Sequence, residues 1–368
     1  MANMTKTELT CSHPNASAKK KQNTPVPMAT HRFRAMNTEI EVILPAEHSH
    51  HARTAEIWFR NSQERFSRFD PKSELSRINQ SSSSWVFVSK AMAEVLSLTR
   101  HFWLKTDGLF SPFLLDALEK AGYAHSFECL PPVAISEPSA ISAEETCPKT
   151  RPLPQPAVTG PDRHTFHIYP SQQLLERPPG LRIDLGGIVK GWTAQQLARH
   201  LQREHAVPWG LVNAGGDLYA WGGYGCDAPW TIGISHPLRD RWEPLRPDMP
   251  PAKDIAFIQI RRGAVATSGT MARRWRTPEG IQHHLIDPRT GRPSQSDLVQ
   301  CTVISPCLVE AEVLAKVIVI LGQKEGVRFL KRYMETEKRP LAAFLISDKG
   351  EGTLVLENGE VQRMEVKR

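Results

Sequence analysis

Four short segments rich in small and polar residues lie in the second half of this 368-residue chain. They occupy residues 184–191, 213–217, 266–269 and 284–288, and each follows or adjoins an apolar, strand-like run. The first three contain glycine, which lets backbone N–H groups approach a ligand closely. One such segment would be weak evidence, since Gly-Gly also makes ordinary turns. Four of them indicate a large ligand that carries phosphate.

Composition narrows the class of protein. Hydrophobic residues make up 40% of the chain and charged residues 23%, as in ordinary globular domains. Part of the net charge of +7 lies before residue 30, and the rest is spread without a basic stripe interleaved with aromatic residues. We therefore expect no nucleic-acid partner. The six cysteines form no C-x-x-C pair and show no zinc-like spacing with histidine.

The N-terminal residues 1–28 are polar and are predicted to be a disordered tail. They lack the apolar run of a signal peptide, and no stretch of the chain approaches 18 apolar residues. We expect a cytoplasmic protein without membrane insertion. Residues 29–368 are predicted to form a single domain, interrupted at its surface by a proline-rich insertion at 128–162 and a proline-rich excursion at 237–251.

Strands and helices alternate irregularly along the chain, with several hairpins, which predicts a mixed α+β fold rather than a regular parallel βαβ array. Alternating apolar and polar residues predict a strand at 31–44. Helices are predicted at 51–67, at 90–105, from the Gly186-Gly187 turn to about His205, and at 309–321. Hairpins are predicted to join 230–234 with 255–261, and 341–346 with 353–356.

Residues 184–191 read Asp-Leu-Gly-Gly-Ile-Val-Lys-Gly and open a helix. The free N–H groups of a helix N-terminus suit a phosphate, and Lys190 in the first turn can reach the same anion. Asp184, at the strand end, can accept a hydrogen bond from a hydroxyl or an amine. A capping aspartate with a surface lysine would show the same pattern. The spacing is neither that of a P-loop nor that of a Rossmann fingerprint.

The other three segments are each open to two interpretations. The adjacent glycines of 213–217 indicate close approach of the backbone to a neighbour, but the segment can also be a plain hairpin with an exposed Asp217. Ser268 can bind a phosphate through its hydroxyl, or it can belong to an ordinary polar turn. His284 can contact a phosphate or a ring, or it can be structural.

Three further segments join these four. They read His-Arg-Phe-Arg-Ala-Met-Asn-Thr at 31–38, Phe-Asp-Pro-Lys-Ser-Glu-Leu-Ser-Arg-Ile-Asn at 69–79, and Thr-Asp-Gly-Leu-Phe-Ser-Pro at 106–112. In this order, and with the last segment extended to Gly291, the seven motifs resemble the ApbE family of FAD:protein FMN transferases. The resemblance covers most of the chain and leaves out the N-terminal tail and the proline-rich insertion.

The resemblance implies a two-lobed α+β domain of the T-fold type, with mixed or antiparallel sheets and FAD bound in a deep cleft. It implies that the FMN half of FAD is transferred to a Thr or Ser hydroxyl of a target protein through a phosphoester bond, and that AMP is released. At phosphorus, such a protein mainly positions groups and neutralises charge.

The resemblance also implies roles for particular residues. Met36 and Phe69 would flank the flavin ring, although the family often has tyrosine at the position of Phe69. The adenosine side would be lined by Leu109, Phe110 and Ser111. Ser268 and Ile286 would contact the cofactor as well. The nucleotide would be held and the transfer assisted by Asp184, Lys190 and His284.

A divalent cation, usually magnesium, is implied too, with the Gly187 carbonyl and Glu312 among its ligands. The family's usual helix pattern is Ala-Asp-Ala-Leu-Ala-Thr, whose Asp and Thr ligate the metal, whereas residues 311–316 read Ala-Glu-Val-Leu-Ala-Lys. Glu312 offers oxygen ligands to a hard cation, but a charged Lys316 has no acceptor to offer. Lys316 can stand where the cation would be, or it can lie beside a single weakened metal site. Alternatively, it can simply pair with Glu312 along the helix.

Three functions stay open on these grounds. The first is an FAD-dependent transferase that attaches FMN to a protein. The second is an FAD-binding protein of the same fold that transfers nothing because its metal site is altered. The third is a nucleotide-binding enzyme of unrelated fold. Covalent flavin on a target protein distinguishes the first two.

Overall fold

The computed structural model describes residues 8–10, 27–127, 130, 166–225, 228–237, 254–278 and 280–365. Most of the predicted insertion at 128–162 and of the predicted excursion at 237–251 lies outside these residues. Within the predicted disordered tail, residues 8–10 form a short strand, so this part of the tail has regular structure. The rest of the tail before Pro27 lies outside the described residues.

The strands and helices are numbered in chain order. The strands are β1 (Glu8–Thr10), β2 (Met28–Ala35), β3 (Thr38–Pro45), β4 (Trp85–Phe87), β5 (His167–Tyr169), β6 (Leu174–Glu176), β7 (Gly210–Ala214), β8 (Asp217–Trp221), β9 (Trp230–Ser235), β10 (Asp254–Ile260), β11 (Gly263–Gly269), β12 (Arg274–Thr277), β13 (Gly280–His283), β14 (Ile286–Asp287), β15 (Arg292–Pro293), β16 (Leu298–Ser305), β17 (Ala342–Ser347), β18 (Glu351–Val355) and β19 (Val361–Glu365). The α-helices are α1 (Ala52–Phe66), α2 (Glu74–Gln80), α3 (Lys90–Lys105), α4 (Leu115–Lys120), α5 (Val189–Glu204), α6 (Leu308–Leu321) and α7 (Gln323–Glu337), and a 3-10 helix spans Ala46–His51.

A nine-stranded sheet in the order β19-β18-β17-β16-β11-β8-β7-β3-β2 forms the centre of the fold. All of its strand pairs are antiparallel, which confirms the predicted mixed α+β class. Helices α5 and α6 pack against β7, β8, β11 and β16. The predicted hairpin of β9 and β10 is present, and its Trp230 and Ile258 share an apolar cluster with Leu218 and Phe344 of the central sheet.

The strand predicted at 31–44 is wrong, because the chain folds back on itself within that range. Strands β2 and β3 pair from Met28 opposite Pro45 to Ala35 opposite Thr38. The turn residues Met36 and Asn37 have φ angles of 53° and 57°, as a two-residue hairpin turn of the right twist requires. Methionine is uncommon at positive φ, so the residues themselves do not signal the turn.

The predicted helices are present with small shifts at their ends. Ser89 caps α3 by accepting a hydrogen bond from the Met92 amide at 3.2 Å. Helix α6 is apolar around its whole circumference and buried on nearly all sides, which makes its charged residues, Glu310, Glu312 and Lys316, conspicuous. In the described part of the chain, no helix has the length and apolar character needed to cross a membrane.

Candidate functional site

A cavity of about 410 Å³ opens where the β2–β3 turn, the end of α1, the start of α5 and one side of α6 meet. This volume lies within the range of small-molecule sites. Eleven residues singled out in the sequence line the cavity: Met36, Phe69, Leu109, Phe110, Ser111, Asp184, Gly187, Lys190, His284, Ile286 and Lys316. Ser268 and Glu312 are not among the residues that line it.

One wall of the cavity is built on Arg68, which the sequence did not single out. Its guanidinium lies 4.3 Å from the ring centroid of Phe69 and 4.6 Å from that of Tyr123. It also donates a hydrogen bond to the Tyr123 carbonyl at 2.8 Å. Cation–π contacts of this kind hold the two rings and the guanidinium in one arrangement. Phe69 is therefore fixed at the cavity wall as part of a stacked cluster.

Asp184 is held from three directions. Its carboxylate lies 3.3 Å from the Arg68 guanidinium and accepts a hydrogen bond from the Gly186 amide at 3.2 Å. The preceding residue, Ile183, is fixed by Asn79, whose side-chain amide bonds both the N–H and the carbonyl of Ile183 at 2.8 Å. Burial raises the pKa of Asp184, and the Arg68 charge opposes that shift. The carboxylate therefore has a fixed position at the cavity wall.

Lys190 lies in the first turn of α5, as predicted, but it is not a surface residue. Its side chain is 13% exposed, and its ammonium pairs with the Asp217 carboxylate. Asp217 is itself buried at the β7–β8 turn and accepts a hydrogen bond from the Thr267 amide at 3.1 Å. Burial lowers the pKa of Lys190 to about 8. The alternatives of a surface lysine and of an exposed Asp217 are therefore both wrong.

Of the two adjacent glycines in 213–217, Gly215 makes a close backbone approach, but to the protein itself, whereas a Cβ at Gly216 would meet open space. A Cβ at Gly215 would lie 2.0 Å from the Thr38 hydroxyl of the neighbouring hairpin, and the φ of Gly215 is +63°. Neither Gly215 nor Gly216 lines the cavity. Gly215 therefore shapes the turn between the neighbouring strands β7 and β8 and does not form part of the cavity wall.

Ser268 lies in β11, opposite Cys301 of β16, and is buried there. Its neighbour Thr267 shares a hydrogen bond with the Thr302 hydroxyl at 2.9 Å. The segment 266–269 is thus a strand of the central sheet and not a turn open to a phosphate. A cofactor contact of Ser268 is not supported by this placement.

Glu312 lies behind the cavity wall, between two lysines. Its Oε1 is 3.1 Å from the ammonium of Lys316 and 3.7 Å from that of Lys190. Its Oε2 accepts a hydrogen bond from the Gly191 amide at 2.9 Å. Burial acts to raise the pKa of Glu312, but the two ammonium groups and the amide outweigh it, so the net shift is downward. Burial lowers the pKa of Lys316, which lines the cavity beside Gly187.

These residues do not fit a divalent cation. Magnesium prefers several oxygen ligands, and a cation on Glu312 Oε1 would face two ammonium groups that already approach this oxygen. Among the described residues, no three His, Cys, Asp or Glu side chains are arranged to hold a metal ion. The arrangement presents positive charge to the cavity through Lys190 and Lys316, and Arg273 also lines it. Such a wall suits an anion.

His284 lines the cavity as a neutral imidazole. Burial, followed by the Arg273 charge, holds the pKa of His284 well below its ordinary value, against a weaker hydrogen bond to the Arg273 backbone. Its Nδ1 is buried and has no hydrogen-bond partner among the described residues. A neutral imidazole nitrogen without a partner can accept a proton from a hydroxyl.

Fold and site together define a mixed α+β protein whose central cavity has an aromatic wall, a cationic wall and a neutral histidine. The chain belongs to the ApbE family, whose sequence profile matches residues 36–339. This confirms the resemblance that the seven motifs indicated.

Relatives and solved structures agree with this membership. The FAD:protein FMN transferase of Escherichia coli K12 is 28% identical over 288 residues, which cover 77% of this chain and 73% of that protein. The same-named protein of Salmonella typhimurium is 28% identical over 289 residues, covering 78% and 73%. The ApbE protein of Thermotoga maritima superposes with a TM-score of 0.68 at 23% identity, covering 92% of this chain and 97% of that one. The flavin transferase ApbE of Vibrio cholerae gives 0.66 at 21% identity, covering 93% and 98%.

Proposed function

We propose that this chain is an FAD:protein FMN transferase that binds FAD in the cavity and attaches its FMN half to a Thr or Ser hydroxyl of a target protein. The main support for the proposal is that one cavity has both an aromatic wall and a cationic wall. The stacked Arg68–Phe69 wall suits a flat ring, and Lys190 and Lys316, which line the same cavity, suit a pyrophosphate. Family membership, and the transferase name carried by its relatives, support the same activity.

The transfer is a displacement at phosphorus. The oxygen of the acceptor hydroxyl forms a bond to the FMN phosphorus, the bond from that phosphorus to the bridging oxygen breaks, and AMP leaves with the bond electrons. The proton of the hydroxyl goes to a base, for which His284 has the free nitrogen. Lys190 and Lys316 stabilise the negative charge that develops on the phosphoryl oxygens and on the leaving AMP.

We infer that the pyrophosphate is neutralised chiefly by these lysines and that magnesium contributes little to FAD binding. This inference departs from the magnesium site that the resemblance implies at Gly187 and Glu312. It rests on the engagement of Glu312 by two ammonium groups and on the placement of Lys316 against Gly187. The protein itself thus supplies the positive charge, and no cation has to bind from solution.

The alternative is an FAD-binding protein that transfers nothing. Lys316 is the residue that motivates it, because a fixed single charge stabilises a phosphoryl transition state less than a divalent ion does. The names of the relatives favour transfer. A cytoplasmic location stays a prediction from the sequence.

Covalent labelling tests the proposal. The purified chain is incubated with FAD and a lysate of its source cell, and denatured proteins are separated and imaged for flavin fluorescence. We expect a fluorescent band that depends on the added chain and on FAD, and none when FMN replaces FAD, because FMN lacks the AMP leaving group. A cavity that binds FAD without any such band would support the non-transferring alternative.

A further inference from the structure

Arg273 lines the cavity, although neither the sequence motifs nor the family resemblance gave it a role. Three other cationic side chains line the cavity, and each has a carboxylate partner. These pairs are Arg68 with Asp184, Lys190 with Asp217, and Lys316 with Glu312. Within the described part of the chain, no carboxylate forms an ion pair with Arg273. Its positive charge therefore faces the cavity without a described partner of opposite sign.

The β12–β13 hairpin sets the position of Arg273. Its antiparallel register pairs Arg274, the first residue of β12, with His283, the last residue of β13. The next pair at this open end of the hairpin places Arg273 opposite His284. Both residues line the cavity. Arg273 is therefore the direct neighbour of the histidine that has the free nitrogen.

Contacts from both strands hold the open end of the hairpin in place. On β13, the His283 ring donates a hydrogen bond to the Ser294 carbonyl at 2.9 Å. On β12, the buried Trp275 donates a hydrogen bond from Nε1 to the Ala121 carbonyl at 2.6 Å. The strand ends that carry the two cavity residues are thus fixed before a ligand binds, which lowers the entropy cost of binding.

The Arg273 charge acts on the groups that the proposed transfer uses. Burial is the main cause of the lowered pKa of His284, Lys190 and Lys316, and the Arg273 charge lowers each of these pKa values further. Such an influence requires short distances, because the interaction between charges weakens as they separate. A phosphate in this part of the cavity would therefore meet Arg273 together with the proposed base.

We propose that Arg273 binds the phosphoryl group of FAD that is transferred and stabilises its charge in the transition state. This assignment rests on the proposed transferase function. An arginine suits the role because its planar fork donates two parallel hydrogen bonds to phosphate oxygens and stays charged throughout. The reacting phosphorus must lie within reach of the hydroxyl whose proton His284 accepts, and Arg273 adjoins that position. The hydroxyl oxygen bonds to phosphorus, the bond to the bridging oxygen breaks with its electrons going to AMP, and Arg273 neither gives up a proton nor forms a covalent bond.

Flavin binding without an acceptor protein tests the phosphate contact. FMN carries the phosphoryl group and riboflavin lacks it, so the ratio of their affinities reports this contact. In fluorescence titrations we expect Arg273→Met to bind FMN about tenfold more weakly than the parent and to bind riboflavin equally well. Arg276→Met is the matched control, because Arg276 lies on β12, is exposed and does not line the cavity. An unchanged ratio of FMN to riboflavin affinity in Arg273→Met would overturn the proposal.

The labelling rate at saturating FAD tests the transfer step itself. Arg273→Met should be slower than the parent by about 10²–10³-fold, and Arg276→Met should match the parent. Arg273→Lys keeps the charge but loses the fork, so it should recover part of the rate; it also replaces Arg273→Met in both tests if that variant loses riboflavin binding. Transfer at the parent rate without the guanidinium would overturn the catalytic role. Absence of labelling by the parent would refute the transferase function, whereas the FMN titration would still decide whether Arg273 binds the phosphate.

Discussion

The ammonium of Lys316 lies 3.1 Å from Oε1 of Glu312, one turn away along the buried helix α6. The helix is otherwise nearly free of charge, and the Glu312 side chain is only 1% exposed. Burying such charges is costly unless they are paired and hydrogen-bonded. Glu312 therefore has the role of holding two lysines, Lys316 and Lys190, charged at the edge of the cavity.

Removing Glu312 should destabilise the fold. Glu312→Ala leaves two buried ammonium groups without their shared carboxylate, and we expect a loss of about 3–5 kcal/mol in the free energy of unfolding by urea. Glu325→Ala is the matched control, because it breaks an exposed ion pair with Arg328 on α7 and should cost about 1 kcal/mol or less. Similar losses in both variants would show that Glu312 stabilises the fold no more than an exposed ion pair does.

The pKa of Lys190, lowered by burial to about 8, predicts the pH dependence of FAD binding. Below pH 8 the ammonium is charged and attracts the pyrophosphate, and above it the charge is lost. FAD affinity should therefore fall as the pH rises from 7 to 9 in a fluorescence titration. Lys190→Met should bind FAD more weakly at pH 7 and show a flatter profile. A parent profile without slope in this window would contradict the assignment.

The lowered pKa of Lys190 also affects the stability of the fold, and this effect changes with pH in the direction opposite to the effect on FAD binding. Because the pKa of Lys190 is lower in the folded chain than in the unfolded one, folding disfavours the charged lysine. This cost is fully present below about pH 8 and is relieved as the pH rises from there toward the ordinary value for lysine. FAD binding and the lysine's contribution to stability should thus move in opposite directions with pH.

His284 should matter for transfer more than for binding. His284→Ala removes the proposed base, and we expect the labelling rate to fall by about 10²–10⁴-fold with a small change in FAD affinity. His283→Ala is the control, because His283 bonds the Ser294 carbonyl and does not line the cavity. Transfer at the parent rate by the His284→Ala variant would exclude this role.

Asp184 should matter for binding. Asp184→Ala removes the partner of Arg68 and frees that guanidinium from its fixed position, so we expect about a tenfold weaker FAD affinity with the fold retained. Asp116→Ala serves as the control, since Asp116 is 76% exposed and pairs with Arg182 on the surface. Circular dichroism should be unchanged in both variants. Normal FAD binding by the Asp184→Ala variant would show that Asp184 is a capping residue and does not contribute to FAD binding.

Much of the cavity was predictable from the sequence because its residues sit in local motifs. The turn at 184–191 carries Asp184, Gly187 and Lys190, and all three line the cavity. The residues 109–111 likewise reach the cavity together, directly after α3 ends. Short-range spacing is sufficient for the turn at 184–191, because its residues lie on one local element, whereas residues 109–111 were implied by the family resemblance.

The partners of these residues were not predictable, because the fold brings them from distant parts of the chain. Lys190 of α5 pairs with Asp217 of β8 and approaches Glu312 of α6. Arg68 stacks on Tyr123, beyond the end of α4, and this contact had no signal in the spacing of residues. Ser268 was misleading for a different reason. Its Thr-Ser-Gly sequence is typical of a turn, but in the structure it belongs to the central strand β11.

We propose that fixed lysines, Lys316 above all, replace a divalent cation at the pyrophosphate. The decisive measurement is FAD affinity in excess EDTA and in magnesium, for the parent and for Lys316→Thr. We predict nearly equal affinities for the parent in the two conditions. In Lys316→Thr, where a hydroxyl replaces the ammonium beside Glu312, we predict weak binding in EDTA and recovery with magnesium. The same steep magnesium dependence in both proteins would contradict the account.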